Sequence, residues 1–176
     1  MERIAILGCP GAGKTTLGRD LSARTGLPLI ELDALYHQAD WTPLPEREFV
    51  AQVRALIAGP RWIVDGNYVA VADLVQARAD TVVWLDLPRR TTVSQLLWRT
   101  VRRLAFRERL FNGNRECLRG TLHLTDGLLA WAWGRHPVYR ARYEARMHDG
   151  AWNHAAVHRL RSSADVHRFR RESEPS

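Results

Sequence analysis

Apolar runs of strand length recur along the chain at Ile4–Leu7, Leu27–Leu32, Trp62–Val64, Thr81–Leu87 and Ala155–Leu160, mostly separated by segments with helical spacing. Runs that are continuous rather than alternating belong to strands covered on both sides, as in a parallel sheet. The β/α alternation therefore predicts an α/β fold of three layers, an open parallel sheet between helices. Punctuation residues divide the chain in the same way. Gly26 and Pro28 end the first helix, and Thr42-Pro43 would start another whose face is Phe49, Val50, Val53, Leu56 and Ile57, stopped by Gly59-Pro60. Thr91 to about Phe106 reads as a helix bearing Arg99, Arg102 and Arg103. The stretch RERLFNGNRECLRG at 107–120 follows, either a mobile lid or a solvated basic loop. Residues 121–148 read as helical, with Leu128, Leu129, Trp131 and Trp133 packed on the body, and Ser162 with Asp165 forms a capping box for the last helix. No repeat, low-complexity tract or linker interrupts residues 1–176, so one domain is expected.

The first apolar run leads directly into GCPGAGKTT, residues 8–16. Read as Gly-x-x-x-x-Gly-Lys-[Ser/Thr], this stretch matches at Gly8, Gly13, Lys14 and Thr15, and the TTLGRDLSAR that overlaps its end is compatible with a helix. A strand, a glycine-rich turn and a helix N-terminus are the parts of a phosphate cradle. Glycines let backbone N–H groups converge on an anion, and the helix dipole adds partial positive charge at the same point. Gly8, Gly11, Ala12, Gly13, Lys14, Thr15 and Thr16 are thus the candidate nucleotide-binding residues of the loop. Lys14 would reach the β- and γ-phosphates, and the Thr15 hydroxyl would ligate Mg²⁺.

Composition narrows the setting. The chain has 176 residues, 45% hydrophobic and 26% charged, which suits a globular domain with a proper core. No leader-like segment precedes the first strand and no apolar run approaches the roughly 18 residues of a membrane span, so a cytoplasmic protein with no membrane partner is expected. Cys9 and Cys117 make neither a disulfide framework nor a metal-ligand spacing. Lys14 is the single lysine among 26 basic residues, and it stands where a compact ammonium rather than a planar guanidinium is needed. The net charge of +7 is unevenly spread: residues 1–86 hold eight basic and eleven acidic side chains, residues 87–171 eighteen and six. The basic half would grip a polyanion, and composition leaves nucleic acid and nucleotide phosphates both open.

In an open parallel sheet, ligands bind beyond the carboxyl ends of the strands. Three polar clusters belong there: Glu31-Leu32-Asp33, Asp65-Gly66-Asn67-Tyr68 and Asp86-Leu87-Pro88-Arg89-Arg90. Strand alternation would point Glu31 and Asp33 to one side. One acid beside the loop strand should support Mg²⁺, and Asp65 and Asp86 both qualify. Asp65 is favoured because Gly66 would let a ligand approach the backbone, whereas Asp86 also suits a turn. Asp33 reads equally as a base that orients an acceptor hydroxyl and as a helix cap for Ala34–His37. Tyr36, His37, Trp41 and Tyr68 would line an acceptor pocket.

Together, GCPGAGKTT, IELDALY, WIVDGNY and VVWLDLPRR resemble the adenylate-kinase-related P-loop proteins, especially the group labelled DNA topology modulation proteins, over nearly the whole chain to the closing VHRLRSSADVHRF. The resemblance implies a nucleotide-kinase-like fold, a five-stranded parallel sheet of order 2-3-1-4-5 with a lid after the fourth strand. WIVDGNY is similar to the Asp-Gly-Phe-Pro-Arg segment of adenylate kinases, which implies that Asp65 is the Mg²⁺-associated acid. Arg99 and Arg103 match the arginine pair that opens the adenylate-kinase lid at four-residue spacing. Glu31-Leu32-Asp33 looks like the Asp-x-Asp of shikimate-type kinases, in which the second acid holds the acceptor. The loop after the last strand, here Arg161 and Ser162, borders the adenine in this family. The likeness departs at Asn67-Tyr68, which stand where Phe-Pro-Arg would supply a clamp for an AMP phosphate.

The expectation is an ATP- and Mg²⁺-dependent phosphotransferase with a small-molecule acceptor, a monomer or homodimer, whose catalytic residues are Lys14, Asp33, Arg99 and Arg103. The alternative is a nucleic-acid-associated ATPase or a DNA-topology-modulating binding protein, carried by the pI of about 10.4 and the basic second half. No helix-turn-helix or zinc-finger signature accompanies that charge. A regulatory GTPase is disfavoured, because its Asn-Lys-x-Asp motif needs a second lysine.

Overall fold

A computed structural model describes residues 1–106, 111–114 and 127–173. Strands β1 (Arg3–Gly8), β2 (Leu29–Glu31), β3 (Trp62–Asp65), β4 (Thr81–Leu85) and β5 (Ala156–Leu160) form one parallel sheet in the order β2-β3-β1-β4-β5. The helices are α1 (Lys14–Thr25), α2 (Leu32–Tyr36), α3 (Glu46–Leu56), α4 (Val69–Arg78), α5 (Arg89–Phe106), α6 (Leu128–His148) and α7 (Ser163–Glu172). Single 3₁₀ turns lie at Ala39–Trp41 and Phe111–Gly113. The expected three-layer α/β architecture and strand order are both present.

The layers follow from side-chain alternation on the strands. Ala5, Leu7, Val64, Val82 and Trp84 point to one face, where α3, α4 and α6 supply Phe49, Val53, Val71, Val75 and Tyr143. Ile4, Ile6, Ile63, Val83 and Leu85 point to the other, against Leu17 and Leu21 of α1 and Phe169 of α7. Every residue of β3 and β4 is buried, which is why their sequences read as unbroken apolar runs. The edge strand β5 instead exposes Ala156 and Val157. No helix among the described residues is long and apolar enough to cross a membrane.

Several boundaries differ from the sequence expectation for local reasons. Leu32 opens α2 rather than closing β2, and Asp86 and Leu87 lie beyond β4. Helix α3 starts at Glu46 behind Pro45, not at Thr42-Pro43. Its buried stripe is Phe49, Val53 and Ile57, one residue every four, and this leaves Leu56 at 46% exposure outside the expected face. Among the described side chains of α6 the buried ones are Ala132, His136 and Tyr143, so Trp131 and Trp133 flank the stripe at 42% and 43% exposure instead of packing on the body. Trp133 carries the Arg89 guanidinium 3.8 Å from its ring centroid. Helix α1 ends as expected at a left-handed Gly26, and Ser162 with Asp165 forms the capping box of α7. The expected lid at 107–120, apart from Phe111–Asn114, lies outside the described residues, as do Cys117, the segment 121–126 and the side chains of Leu128 and Leu129.

The start of the sheet is tied down by one carboxylate. Asp80, just before β4, accepts from the backbone N–H of Arg3 at 2.9 Å, from that of Glu2 at 3.1 Å and from the Thr81 hydroxyl at 2.7 Å. Burial alone would raise its pKa, but the Thr81 and backbone bonds outweigh burial and hold it below the usual carboxylate value. A lowered folded pKa adds stability above the unfolded value of about 3.9, and that stability is lost as the pH falls through the folded value. Asp80→Asn is therefore expected to cost about 1–2 kcal/mol at pH 7. The deficit should shrink toward zero in urea titrations near pH 3, and a deficit independent of pH would contradict the charged role.

Candidate functional site

The phosphate loop leaves β1 at Gly8 and enters α1 at Lys14, with Gly13 as N-cap at a φ of 90°. The Cys9 carbonyl accepts from the Ala12 N–H at 3.1 Å and from Lys14 Nζ at 3.4 Å, so the only lysine of the chain curls back over its own loop. Gly11 has a φ of +83°, and a Cβ there would stand 2.2 Å from the Thr92 carbonyl at the start of α5. Glycine at this position is what lets α5 close against the loop. Cys9 is buried among these groups, and burial pushes its thiol pKa up, which makes it a packing residue rather than a reactive one.

Parallel pairing brings Asp65 to this loop. The register sets Asp65 beside Ile6 of β1 on one side and beside Glu31 of β2 on the other. Its Oδ2 accepts from Thr15 Oγ1 at 2.5 Å. Asp65 is 5% exposed, and burial raises its pKa against the opposing effects of Lys14 and the Thr15 bond, with Asp33 and Glu31 adding to the rise. A buried carboxylate whose charge is under-compensated is a candidate functional position.

Asp86, the other candidate acid, is engaged by arginines. It takes Arg159 Nε at 2.8 Å and Arg159 Nη2 at 2.6 Å, with Arg140 Nε at 3.6 Å. Arg159 also donates to Glu144 at 2.7 Å and lies 4.2 Å over the Trp84 ring. Of the two acids, Asp65 alone bonds the loop threonine. Sequence reading missed Arg159, although a part-buried cation inside a strand needs an acidic partner.

The third cluster departs from its expected geometry. Since β2 ends at Glu31, strand alternation does not set Asp33, which sits in the first turn of α2. The N-cap of α2 is Glu31, and no side chain caps the helix, so the capping reading of Asp33 fails. Glu31 is held in a bidentate pair by Arg19 at 2.8 and 3.1 Å. Asp33 Oδ1 instead accepts from Tyr68 Oη at 2.7 Å, and His37 Nε2 lies 3.4 Å from the same hydroxyl. Burial and the Asp33 charge both drive the Tyr68 hydroxyl pKa upward, which keeps it a donor. The expected pocket residues do gather: Tyr36 and Tyr68 have ring centroids 4.7 Å apart, and His37 and Trp41 5.3 Å apart. Gly66 has a packing reason of its own. At a φ of +148°, its Cβ would fall 2.7 Å from Leu32 Cβ, so glycine here is required by the close approach of the first residue of α2.

The remaining predicted residues lie on α1, on α5 and in the turn after β5. Thr16 is exposed on the first turn of α1, and Arg99 and Arg103 share one face of α5, both half-buried. Arg161 and Ser162 are exposed where β5 ends, and their backbone N–H groups donate to Asp165 Oδ2 at 3.1 and 3.0 Å. From the expected lid, Asn114 accepts from the Trp41 N–H at 3.1 Å and donates to the Gln38 carbonyl at 2.8 Å, and Asn112 donates to the Ala34 carbonyl at 3.3 Å. A cavity of about 230 Å³ opens beside Asn67 and Tyr68, floored by Leu7 and Leu32 and edged by Arg142 and Arg146. Those two arginines also escaped sequence reading, because only the packing of α6 against α4 brings them here.

No protein-family model matches the chain. A shikimate kinase of Nitrobacter winogradskyi is 30% identical over 119 residues, covering 59% of this chain. The chain spans about half, 53%, of that relative's length. Among solved structures, a shikimate kinase from Acinetobacter baumannii in complex with shikimate is similar at a TM-score of 0.52 and 17% identity, over 98% of this chain and 90% of that one. Deoxyadenosine kinase from M. mycoides with bound dATP is similar at a TM-score of 0.51 and 12% identity, over 98% of each chain. The fold is the one these P-loop kinases share.

The burial of Asp65 makes a prediction independent of any ligand. A raised folded pKa gives stability that is full below the unfolded value and lost as pH rises through the folded one. Asp65→Asn should therefore leave the unfolding midpoint at pH 7 unchanged or raise it, and any gain should fade in melts at lower pH. A clear drop in midpoint at pH 7 would show that the ionised carboxylate favours the fold.

Proposed function

We propose that the chain is an ATP-dependent phosphotransferase that moves the γ-phosphate of ATP to a hydroxyl group of a small-molecule acceptor. The finer placement, near the DNA topology modulation group of adenylate-kinase-related proteins, belongs to the same proposal. The observation that carries it is the Thr15–Asp65 bond at 2.5 Å, a hydroxyl and a carboxylate meeting where the phosphate loop enters α1. The curated relative named a shikimate kinase and the two kinases of the same fold support the reading.

The residues suit Mg²⁺. Thr15 Oγ1 and Asp65 Oδ2 are hard oxygen donors, and among the described residues no cluster of three His, Cys, Asp or Glu forms an all-protein cage. Mg²⁺ is ordinarily held in this way, by few protein oxygens together with the phosphates of its nucleotide. Bound with ATP, the ion would supply neutralisation of charge across the β- and γ-phosphates. Thr15 and Asp65 would hold it.

The protein's own part is positioning and electrostatics. Gly8, Gly11, Ala12, Gly13 and Thr16 cradle the phosphates, and Lys14 swings from the Cys9 carbonyl to the γ-phosphate. Arg99 and Arg103 on α5 neutralise charge as the phosphoryl group transfers, while Arg161 and Ser162 border the adenine. Asp33 Oδ1 is engaged by Tyr68, so Oδ2 is the oxygen that takes the hydrogen bond of the acceptor hydroxyl.

A nucleic-acid-associated ATPase is the weaker reading. The charge excess of residues 87–171 overstates the basic surface, since Arg159, Arg140 and Arg146 are paired with Asp86, Glu144 and Asp73.

Incubation with labelled ATP and Mg²⁺ across nucleosides, nucleoside monophosphates, sugars and hydroxy acids should give one labelled product class. Lys14→Ala is expected to lower the transfer rate roughly 10²–10³-fold. Asp33→Asn should lower it at least about 10²-fold with ATP affinity nearly unchanged. Slow ATP hydrolysis alone across the panel, with salt-sensitive binding to duplex DNA, would sink the kinase reading.

A further inference from the structure

Asp65 is not the only side chain by which the exit of β3 holds the phosphate loop. Asn67 donates through Nδ2 to the Gly8 carbonyl in a short contact, and its Oδ1 accepts from Tyr143 Oη of α6 at 3.0 Å. Chemistry fixes the direction of this chain of bonds. A backbone carbonyl only accepts, so Asn67 must offer it the amide nitrogen, which leaves the amide oxygen for the tyrosine. Tyr143 is 3% exposed, and burial drives its pKa far above that of an ordinary phenol, so it remains a donor. Its ring is set between Trp84 and Trp152, with centroids 5.6 and 6.3 Å away. The amide of Asn67 is thus oriented by a side chain that is itself fixed in the core.

The carbonyl it holds belongs to the peptide joining Gly8 to Cys9. Because that unit is planar, fixing its oxygen fixes the plane from which the rest of the loop departs. The next carbonyl, that of Cys9, is the one that takes the Ala12 N–H at 3.1 Å and Lys14 Nζ at 3.4 Å. The exit of β3 therefore straps the loop at both ends, Thr15 through Asp65 and Gly8 through Asn67.

We propose that Asn67 is a positioning residue for ATP binding: it sets the conformation of the phosphate loop through the Gly8 carbonyl, with Tyr143 orienting its amide. This rests on the reading of the loop as an ATP site. Asn67 acts on the loop backbone rather than on the acceptor, so its loss weakens nucleotide affinity before it changes the transfer step.

The test is calorimetric titration of ATP with Mg²⁺ into the full chain and into Asn67→Ala, Asn67→Asp, Tyr143→Phe and the Asn67→Ala/Tyr143→Phe double variant, with thermal melts of each without nucleotide. Asn67→Ala should weaken ATP roughly tenfold. Asn67→Asp should weaken it further, since a carboxylate then faces the carbonyl. Tyr143→Phe, which keeps the ring, should weaken it about threefold. The double variant should match Asn67→Ala alone, because the tyrosine acts only through the asparagine. Wild-type binding with Asn67 variants within twofold of it, even with lowered melting temperatures, would overturn the proposal and leave Asn67 a structural residue. Multiplicative losses in the double variant would also overturn it. Failure of the wild-type chain to bind ATP would instead bring down the reading of the loop on which the proposal rests.

Discussion

The pairing of β1 with β3, in the register that sets Ile6 beside Asp65, is the constraint on which the site depends. Thr15 and Asp65 are 50 residues apart in sequence, and they meet only because the chain returns to lay β3 parallel to β1. A parallel return places both strand exits at the same edge of the sheet, and a right-handed crossover is the ordinary way to make it. Once the register is set, Asp65, Asn67 and Tyr68 arrive beside the phosphate loop and α2 without any further choice of conformation. A one-residue slip would turn Asp65 to the opposite face of the sheet and dismantle every one of these contacts.

Four carboxylates stand at the strand exits, and the fold treats them differently. Glu31 is paired with Arg19, and Asp86 with Arg159 and Arg140. Asp33 and Asp65 receive a hydroxyl each, from Tyr68 and Thr15. A hydroxyl donor supports an ionised carboxylate far less than a guanidinium does, and Asp65, which is buried as well, is the least compensated of the four. The direction of the Asp65 shift agrees, because burial outweighs the favourable effect of Lys14 there. The buried carboxylate of Asp65, beside Thr15 and Lys14, is a property of this edge that neither the composition nor the net charge of +7 displays.

What was legible in the sequence was whatever depends on local or periodic constraint. The glycines and Lys14 of the loop, the apolar runs of the strands, the cap at Ser162 and the stop at Gly26 each require particular residues within a few positions. Asp33 was misplaced because a three-residue polar–apolar–polar pattern fits a strand end and a helix start equally, and the short α2 leaves no period to separate them. Leu56, Trp131 and Trp133 were misassigned by counting hydrophobicity where only angular position on the helix decides burial. The contacts of Arg159, Tyr143 and Asn67 are illegible in sequence for another reason. Their partners Asp86, Asn67 and Gly8 lie 73, 76 and 59 residues away, and nothing short of the tertiary structure brings them together.

The exit of β3 shows how a departure from a familiar pattern becomes intelligible in three dimensions. From the sequence, Asn67-Tyr68 registers as the absence of a phosphate-clamping arginine. In the structure neither side chain is idle: Asn67 turns inward to Gly8 and Tyr143, and Tyr68 turns outward to Asp33. Val69, which follows, is 70% exposed and makes no demand on its surroundings. An arginine in place of Asn67 or Tyr68 would therefore remove an internal bond at the same time as it added a cation, and a cation beside the buried Asp65 would compete with Lys14 for it. Asn67 and Tyr68 are thereby committed to the loop and to Asp33. Of the two arginines that line the cavity with Asn67 and Tyr68, Arg146 is likewise engaged, in its pair with Asp73.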